Sequence, residues 1–337
     1  MKKIVLFLFI FTLRVGFLAQ SEIKNLVFEG AGIRGLAYAG ALEVLEEKDL
    51  IKNIENVGGT SAGAITALMI SLGYTSSEVN TIISSTDFGD FNDGEFLFVG
   101  GLYRIKNNFG WYKTDKFEDW LGEIIEAKSV NKNITFEGLS NQGFKNLYVT
   151  ATCLNKQKVL VFSKDSYPKM KVLDAVKISM SVPIYFEVVF IDSLGTIHER
   201  TEDISNLDLV MDGGVIGNFP IDIFDRDTVV SEGKSVRIPN PNTLGFRIDS
   251  EEQIKYDEVN QELSPIEIGD IQDYMIAMYI LVIENLNRNQ LEGFDWDRTV
   301  SIGDADIGPK VKTLSKTQKE ALLESGRKNT LDFFNKR

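Results

Sequence analysis

Two glycine-bearing turns constrain the fold of this chain more than any other feature, because each separates a short apolar stretch from a helix-like one. The first turn, GAGIRG at residues 30–35, follows the apolar Lys24–Phe28, and the second, GTSAG at residues 59–63, follows Asn53–Val57. Apolar residues recur at helical spacing after each turn. Strands that alternate with helices in this way predict an α/β fold, with a mostly parallel central sheet covered by helices on both faces.

The rest of the chain continues this alternation. We expect residues 24–222 to form a core, and residues 223–337 to add a C-terminal strand and helices packed on the same domain. Strands are predicted over 147–152, 159–162, 207–211 and 243–248, and helices over 172–180, 271–287 and 317–334. An irregular segment is predicted over 88–120, and a polar loop over 222–241.

The first twenty residues have the layout of a secretory signal peptide. Lys2 and Lys3 form a positive start, Ile4–Leu13 is an apolar run interrupted only by Thr12, and Ala19 is a plausible cleavage point. The run is too short to span a bilayer as a helix. The sequence therefore predicts a signal peptide at residues 1–19 and an exported protein, periplasmic or secreted, free or membrane-associated. The alternative is a buried first helix or strand.

Composition argues against several classes of protein. A formal net charge of −13 argues against a nucleic-acid-binding protein, which needs a basic surface. The same charge argues against simple electrostatic docking on anionic lipid. The chain has one cysteine, Cys153, which allows neither an intramolecular disulfide nor a cysteine-rich metal site.

The GAGIRG turn by itself is compatible with two kinds of site. Its glycines permit a tight turn and present backbone N–H groups at a helix start, which suits an anion. The full G-x-G-x-x-G pattern between strand and helix also fits a dinucleotide site, in which Glu55 would bind the ribose. The glycine pattern alone does not separate these two sites.

The GTSAG turn favours a hydrolase over a dinucleotide site. It is a G-x-S-x-G sequence between a predicted strand and helix, the setting of a nucleophile elbow that presents a serine above the sheet. A dinucleotide site would place an acid at the end of this strand, whereas Glu55 precedes that end. Ser61 is therefore the candidate nucleophile, with Gly59 and Gly63 as the elbow glycines.

A serine nucleophile needs a base, and the chain offers two candidates. His198 is the only histidine and lies in a stretch of loop composition, where a histidine is usually solvated. Asp212 ends a predicted apolar strand and precedes Gly213 and Gly214, which permit a close turn. A carboxylate can act as base where burial raises its pKa toward neutrality. An Asp-Gly pair is also common in ordinary turns, so this motif alone leaves the role of Asp212 open.

The three motifs, in this order, resemble those of the patatin-like phospholipases. SMSVPIYF at residues 179–186 is similar to the family's helix end before the aspartate strand, and the resemblance covers roughly Lys24–Ile221. It implies a three-layer α/β/α fold, a Ser61–Asp212 dyad, and hydrolysis of lipid acyl esters of the phospholipase A or lysophospholipase type, without metal or cofactor. The implied oxyanion loop is Gly30, Ala31, Gly32, Ile33, Arg34 and Gly35, with Ala31 where the family usually has glycine.

Two other functions stay open on the sequence. One is a dinucleotide-binding protein that uses Gly30–Gly35, and the other is an inactive exported binding protein on a hydrolase fold. Arg34 either faces a phosphate head group or is solvated.

The expected partner is a lipid or phospholipid at a membrane or micelle surface. Aromatic residues interleaved with glycines over Gly94–Tyr112, among them Phe96, Phe98 and Trp111, predict a mobile rim over Ser61 that contacts aggregated lipid. Packing of such residues as core is the alternative.

Overall fold

The computed structural model describes residues 22–91, 109–199, 204–231, 234–259, 263–266, 268–269, 291–308 and 313–336, and positions 274, 277, 278 and 281. The predicted signal peptide lies outside the described residues. So do Phe96, Phe98 and most of the predicted rim, and most of the predicted helix 271–287.

The described elements alternate along the chain as the sequence predicts. The strands are β1 (Asn25–Phe28), β2 (Asn56–Gly59), β3 (Gly110–Tyr112), β4 (Asn146–Cys153), β5 (Lys158–Phe162), β6 (Ile184–Phe186), β7 (Val189–Ile191), β8 (Ile197–His198), β9 (Asp208–Asp212), β10 (Arg226–Ser231), β11 (Lys234–Ile238), β12 (Thr243–Asp249) and β13 (Thr299–Gly303). The α-helices are α1 (Ala37–Glu47), α2 (Ala62–Ser71), α3 (Ser76–Ser85), α4 (Asp115–Ser129), α5 (Phe136–Asn141), α6 (Val172–Ser179), α7 (Gly214–Gly217), α8 (Glu251–Val259), α9 (Gly293–Asp297) and α10 (Lys316–Asn335).

A nine-stranded sheet forms the centre of the fold. Its order is β13-β12-β1-β2-β4-β9-β7-β8, and β5 also pairs with β4. The pairs from β13 to β4 are parallel, whereas those of β9, β7, β8 and β5 are antiparallel. β1 and β12 are buried along their whole length, as expected of strands covered on both faces. The predicted α/β class is confirmed, and one side of the sheet is antiparallel.

A ladder of polar side chains aligns the starts of the parallel strands. Asn25, Asn56 and Asn146 occupy matching positions on β1, β2 and β4, and Thr243 does so on β12. Their side chains are hydrogen-bonded in sequence, with distances of 3.1, 2.8 and 2.9 Å from Thr243 to Asn146. Because these strands start in register, their carboxyl ends also meet at one edge, and both glycine motifs lie there.

The prediction of an irregular segment over 88–120 is wrong at its end, where α4 begins at Asp115. Phe117, Leu121, Ile124 and Ile125 recur at helical spacing and are buried. The glycines that suggested a loop all precede this helix. Because the segment is assigned as a whole from its glycines, the apolar helical spacing that begins at Phe117 is not recognised.

The predicted polar loop over 222–241 is also wrong, because it contains the antiparallel hairpin β10–β11. Arg226, Asp227 and Thr228 are exposed, so the apolar alternation that normally marks a strand is missing. The hairpin is held by charge: Arg237 pairs with Asp295, which also accepts hydrogen bonds from Arg298.

Residues after 222 join the same sheet and core. β12 pairs with β1, and α10 packs along α1. Glycines allow this close helix contact: a methyl group at Gly40 would collide with the carbonyl of Leu323, and one at Gly326 with the carbonyl of Ala37.

Candidate active site

Ser61 lies at the sharp turn between β2 and α2. Its backbone angles, φ 52° and ψ −123°, are seldom adopted by residues other than glycine, and such strain is typical of a nucleophile elbow. Neighbouring glycines make the turn possible: a methyl group at Gly59 would collide with the backbone of Gly63, and one at Gly63 with the Phe28 carbonyl. The structure thus places Ser61 at the carboxyl end of β2.

Two residues at the end of α6 contact Ser61. The Ser61 N–H donates to the Oγ of Ser179, 2.8 Å away, and Ser179 is fully buried. The Ser61 hydroxyl lies 3.4 Å from the Sδ of Met180, a weak acceptor. Sequence reasoning assigns no role to either residue. The only signal for them is their place in SMSVPIYF, after a predicted helix.

The sheet brings Asp212 to the elbow. β4 pairs with both strands concerned: Gly59 of β2 is opposite Val149, and Asp212 of β9 is opposite Ala151, two residues further along. Asp212 is 5% exposed and Ser61 is 8% exposed. The ends of β2 and β9 therefore meet in a place that is largely shielded from water.

Burial raises the pKa of the Asp212 carboxyl to about 6. Two hydrogen bonds act in the opposite direction, one from the N–H of Gly214 at 2.7 Å and one from the Ser61 hydroxyl. A carboxyl group with this pKa is mostly ionised at neutral pH, yet basic enough to accept a proton. The arrangement can therefore supply a nucleophile and its base.

The glycine-rich turn GAGIRG passes close to the elbow. A Cβ atom at Gly30 would lie 3.2 Å from the Cβ of Ser61. The turn continues as a 3₁₀ helix, Gly32–Leu36, which leads directly into α1. Gly32 has φ 55°, a left-handed conformation that favours glycine.

The N–H groups of this turn differ in what they can still bind. The N–H of Gly30 donates to the carbonyl of Asn218 at 3.1 Å, and that of Arg34 donates to the carbonyl of Ala31 at 3.2 Å. The first N–H groups of a helix have no partner within it. Those of Gly32 and Ile33, at the start of the 3₁₀ helix, are therefore the candidate donors of the turn.

Arg34 is mostly buried rather than solvated, and its contact with a phosphate head group stays a prediction. Its Nε donates to the carbonyl of Ala31 at 3.2 Å, and its Nη1 lies 3.8 Å from the Oδ2 of Asp304, just after β13. Only 17% of the side chain is exposed. Arg34 thus connects the turn to the C-terminal part of the chain.

An apolar cleft of about 770 Å³, open to solvent, lies beside the elbow. The turn, the elbow helix, α3, α4 and the segment after α6 all contribute to it. The lining residues are Gly32, Ile33, Gly35, Leu36, Ala62, Ile65, Thr66, Ile83, Phe88, Phe91, Thr114, Phe117, Met180, Tyr185 and Phe186. Such a surface suits a long apolar group better than a charged nucleotide.

Four of the described aromatic residues of segment 88–120 pack together at the wall of the cleft. Phe88, Phe91, Phe117 and Trp120 contact one another with ring centroids 5.4 to 6.0 Å apart. Trp111 is half-buried in β3. Phe91 and Phe117 belong to the core, and Phe88 and Trp120 pack against it. The rim over Gly94–Tyr112 stays a prediction.

The other sequence candidates lie away from the elbow. His198 is exposed on the edge strand β8, where its Nε2 is 3.0 Å from the Oδ2 of Asp192. Glu55 is at the amino end of β2, also exposed, and its carboxylate is 2.7 Å from the Nζ of Lys24. Neither side chain has a described contact with Ser61.

Metal-ligating side chains do not cluster in threes or more anywhere in the described ranges. Over the same residues, no helix is long and apolar enough to cross a membrane.

A family model for patatin-like phospholipases matches residues 26–225. The chain belongs to the patatin-like phospholipase family, as the three motifs predict. Over 317 residues it is 30% identical to the uncharacterized protein R571 of Acanthamoeba polyphaga mimivirus, covering 93% of this chain and 94% of the relative. Over 206 residues it is 30% identical to the probable lipid hydrolase 463L of Invertebrate iridescent virus 6, covering 59% and 62%.

A solved structure supports the fold. The crystal structure of VipD from Legionella pneumophila matches 94% of this chain and 67% of that protein, with a TM-score of 0.56 and 15% identity. At this identity the likeness concerns the fold alone.

Proposed function

We propose that this protein is a serine acyl-hydrolase that cleaves fatty-acyl esters of lipids, with Ser61 as nucleophile and Asp212 as base. One observation carries the proposal: the strained Ser61 and the buried Asp212, whose pKa burial raises to about 6, lie on strand ends that meet at the edge of an apolar cleft. The family and the relative named as a lipid hydrolase support the same class of substrate.

The steps follow from the positions of these groups. Asp212 accepts the Ser61 proton while Oγ attacks the ester carbonyl. The N–H groups of Gly32 and Ile33 stabilise the negative charge that forms on the carbonyl oxygen. The alcohol leaves with the proton from Asp212, and an acyl-enzyme remains. Water, deprotonated by Asp212, then releases the fatty acid and restores Ser61.

The cleft supports a phospholipase A or lysophospholipase type of reaction. Its apolar walls, with Met180 next to the nucleophile, accommodate an acyl chain while the head group stays in water. With a net charge of −13, the protein reaches a membrane or micelle through apolar contacts rather than through anionic lipid. The signal-peptide pattern supports action outside the cytoplasm.

The test is a fatty-acid release assay on a panel of phospholipids, lysophospholipids, acylglycerols and short soluble esters, combined with fluorophosphonate labelling. We expect fatty-acid release and a covalent adduct on Ser61. Specific binding of a dinucleotide, with no hydrolysis of any ester and no labelling, would instead favour the GAGIRG turn as a nucleotide site.

The pKa of Asp212 predicts the acid limb of the activity. The base must be ionised, so kcat/KM on a soluble ester should fall about tenfold per pH unit below pH 6 and level off above it. Initial rates between pH 4.5 and 9 measure this, with stability controlled by returning samples to pH 8. A profile that stays flat down to pH 4.5 would contradict Asp212 as base.

The preference for the length of the acyl chain should depend on Ile83. Four residues, Ile33, Leu36, Ile83 and Phe88, line both the cleft and a smaller adjoining cavity. Ile83→Ala removes part of this partition and should favour longer chains. Each further buried methylene is worth about 0.8 kcal/mol, or about fourfold in kcat/KM.

A series of acyl esters of increasing length measures this preference. Val79→Ala is the matched control, because Val79 is buried on the same helix α3 but lines neither cavity. An identical length preference in wild type and Ile83→Ala would show that the partition does not limit the chain.

A further inference from the structure

Asn218 joins the two halves of the site. It directly follows α7, the short helix that begins at Gly214 of the Asp212-Gly213-Gly214 motif. Its carbonyl accepts the N–H of Gly30 at 3.1 Å, and its Nδ2 donates to the carbonyl of Gly30 at 2.9 Å. Both backbone polar groups of Gly30 are thus bound by one residue.

The space around Asn218 is closed on both sides. A methyl group at Gly30 would collide with the Asn218 Oδ1, and one at Gly214 would lie 2.9 Å from the same atom. At Gly214 it would also lie 3.0 Å from the Oδ1 of Asp212. The amide group therefore fills the gap between the GAGIRG turn and the aspartate motif.

A buried carboxylate fixes the orientation of the Asn218 amide. The Oε1 of Glu29 accepts a hydrogen bond from the Asn218 Nδ2 at 3.2 Å, and Oε2 accepts one from the N–H of Ile248 on β12 at 3.1 Å. Glu29 is 4% exposed. Because Glu29 accepts from the amide nitrogen, this nitrogen faces the carbonyl of Gly30, and the oxygen lies against the α-carbons of Gly30 and Gly214.

We propose that Asn218 is a positioning residue that fixes the GAGIRG turn relative to Ser61 and Asp212, so that the oxyanion donors are in place before substrate binds. In this role Asn218 acts through the turn rather than on the reacting atoms. Its role for the rate rests on the proposed hydrolase function, whereas its effect on the rigidity of the turn does not. Preorganised donors avoid reorganisation during the reaction, which makes their placement valuable.

Asn218→Ala tests this with two measurements on the full chain. Hydrogen exchange followed by mass spectrometry should show at least about tenfold faster exchange in a peptide covering residues 30–35. On a soluble ester, kcat should fall about 10²-fold while KM stays within threefold, as expected when an oxyanion donor is misplaced. The affinity for a trifluoromethyl ketone, which forms a tetrahedral adduct with a serine, should fall by the same factor as kcat.

Asn146→Ala is the matched control. It removes an equally half-buried asparagine amide from the polar ladder at the opposite end of the strands. It should leave kcat and exchange in the turn unchanged. If Asn218→Ala does not fold, the similarly sized Asn218→Leu replaces it and should show the same two effects, because it removes the donor to Gly30 without adding a charge beside Glu29.

Unchanged exchange over residues 30–35 in a folded Asn218 variant would overturn the proposal, whether or not the wild type hydrolyses esters. A loss of kcat together with equal losses in the Asn146→Ala control would also overturn it, since general destabilisation would then explain the loss. A wild type without any esterase activity would refute the proposed function, and the exchange measurement would still decide the positioning role.

Discussion

Replacing Ser61 with alanine is expected to reduce ester hydrolysis by roughly 10⁴-fold or more, and to abolish labelling by a fluorophosphonate. The variant retains the cleft and the turn but has no atom that can attack the carbonyl. Removal of the nucleophile in serine hydrolases lowers kcat by factors of this size. Alanine has a Cβ atom like serine, so the backbone strain at φ 52° is kept in the variant. A glycine at this position would remove that strain together with the hydroxyl.

The control for this experiment lies at the far end of α2, the helix that Ser61 precedes. Ser71 is buried at the end of α2, where its hydroxyl donates to the carbonyl of Lys145. Ser71→Ala should therefore keep the activity while it reports the cost of losing a buried serine. Substantial hydrolysis by Ser61→Ala would mean that another residue forms the acyl-enzyme or that none is formed.

Replacing Asp212 with asparagine is expected to reduce kcat by about 10⁴-fold, because asparagine cannot accept the Ser61 proton. Two variants define the specificity of this loss. Asp208→Asn changes a buried carboxylate on the same strand β9, and His198→Ala removes the only histidine. Both should stay active. If His198→Ala were inactive and Asp212→Asn active, a histidine would be the base.

The same substitution should stabilise the fold above pH 6. The Asp212 pKa rises from 3.8 to about 6 on folding, so keeping the carboxyl ionised in the folded state costs about 3 kcal/mol at pH 8. A raised pKa contributes stability that is full below pH 3.8 and is lost as the pH rises through 6. Asparagine carries no such cost.

Denaturant unfolding of both proteins at pH 8 and pH 4 measures this difference. The advantage of Asp212→Asn should be large at pH 8 and nearly absent at pH 4. A variant less stable than wild type at pH 8 would show that the ionised carboxylate contributes favourable contacts that outweigh its burial.

Much of the fold follows from local patterns in the sequence. The strand–turn–helix order predicts β1 to α2, and apolar periodicity predicts α6 and α10 nearly to their ends. The hairpin β10–β11 is not predictable in this way, because Arg237 on β11 pairs with Asp295 and Asp225, just before β10, pairs with Arg298. Both of these partners are distant in sequence. The glycine-ended strand β2 also extends further than expected, to Gly59, since glycines read as a turn.

Site residues are predictable from the sequence where the local backbone conformation requires a particular residue type. The glycines around Ser61 are needed for a turn that any reader of the sequence can recognise. Ser179, Met180 and Asn218 have no such signature, because their roles depend on the meeting of α6 and α7 with the elbow. Glu29 is missed for a related reason: an acid directly after a strand gives no sign that it is buried.

The close contact between α1 and α10 shows that residues outside the part of the chain matched by the family model support the GAGIRG turn. The family model ends at residue 225, yet Gly326 on α10 lies against the backbone of Ala37, the first residue of α1. That helix is continuous with the 3₁₀ helix of the GAGIRG turn. Helix α10 therefore supports the turn through α1. Insertions or deletions near residue 326 are expected to change the rate of ester hydrolysis even though they alter none of the three motifs.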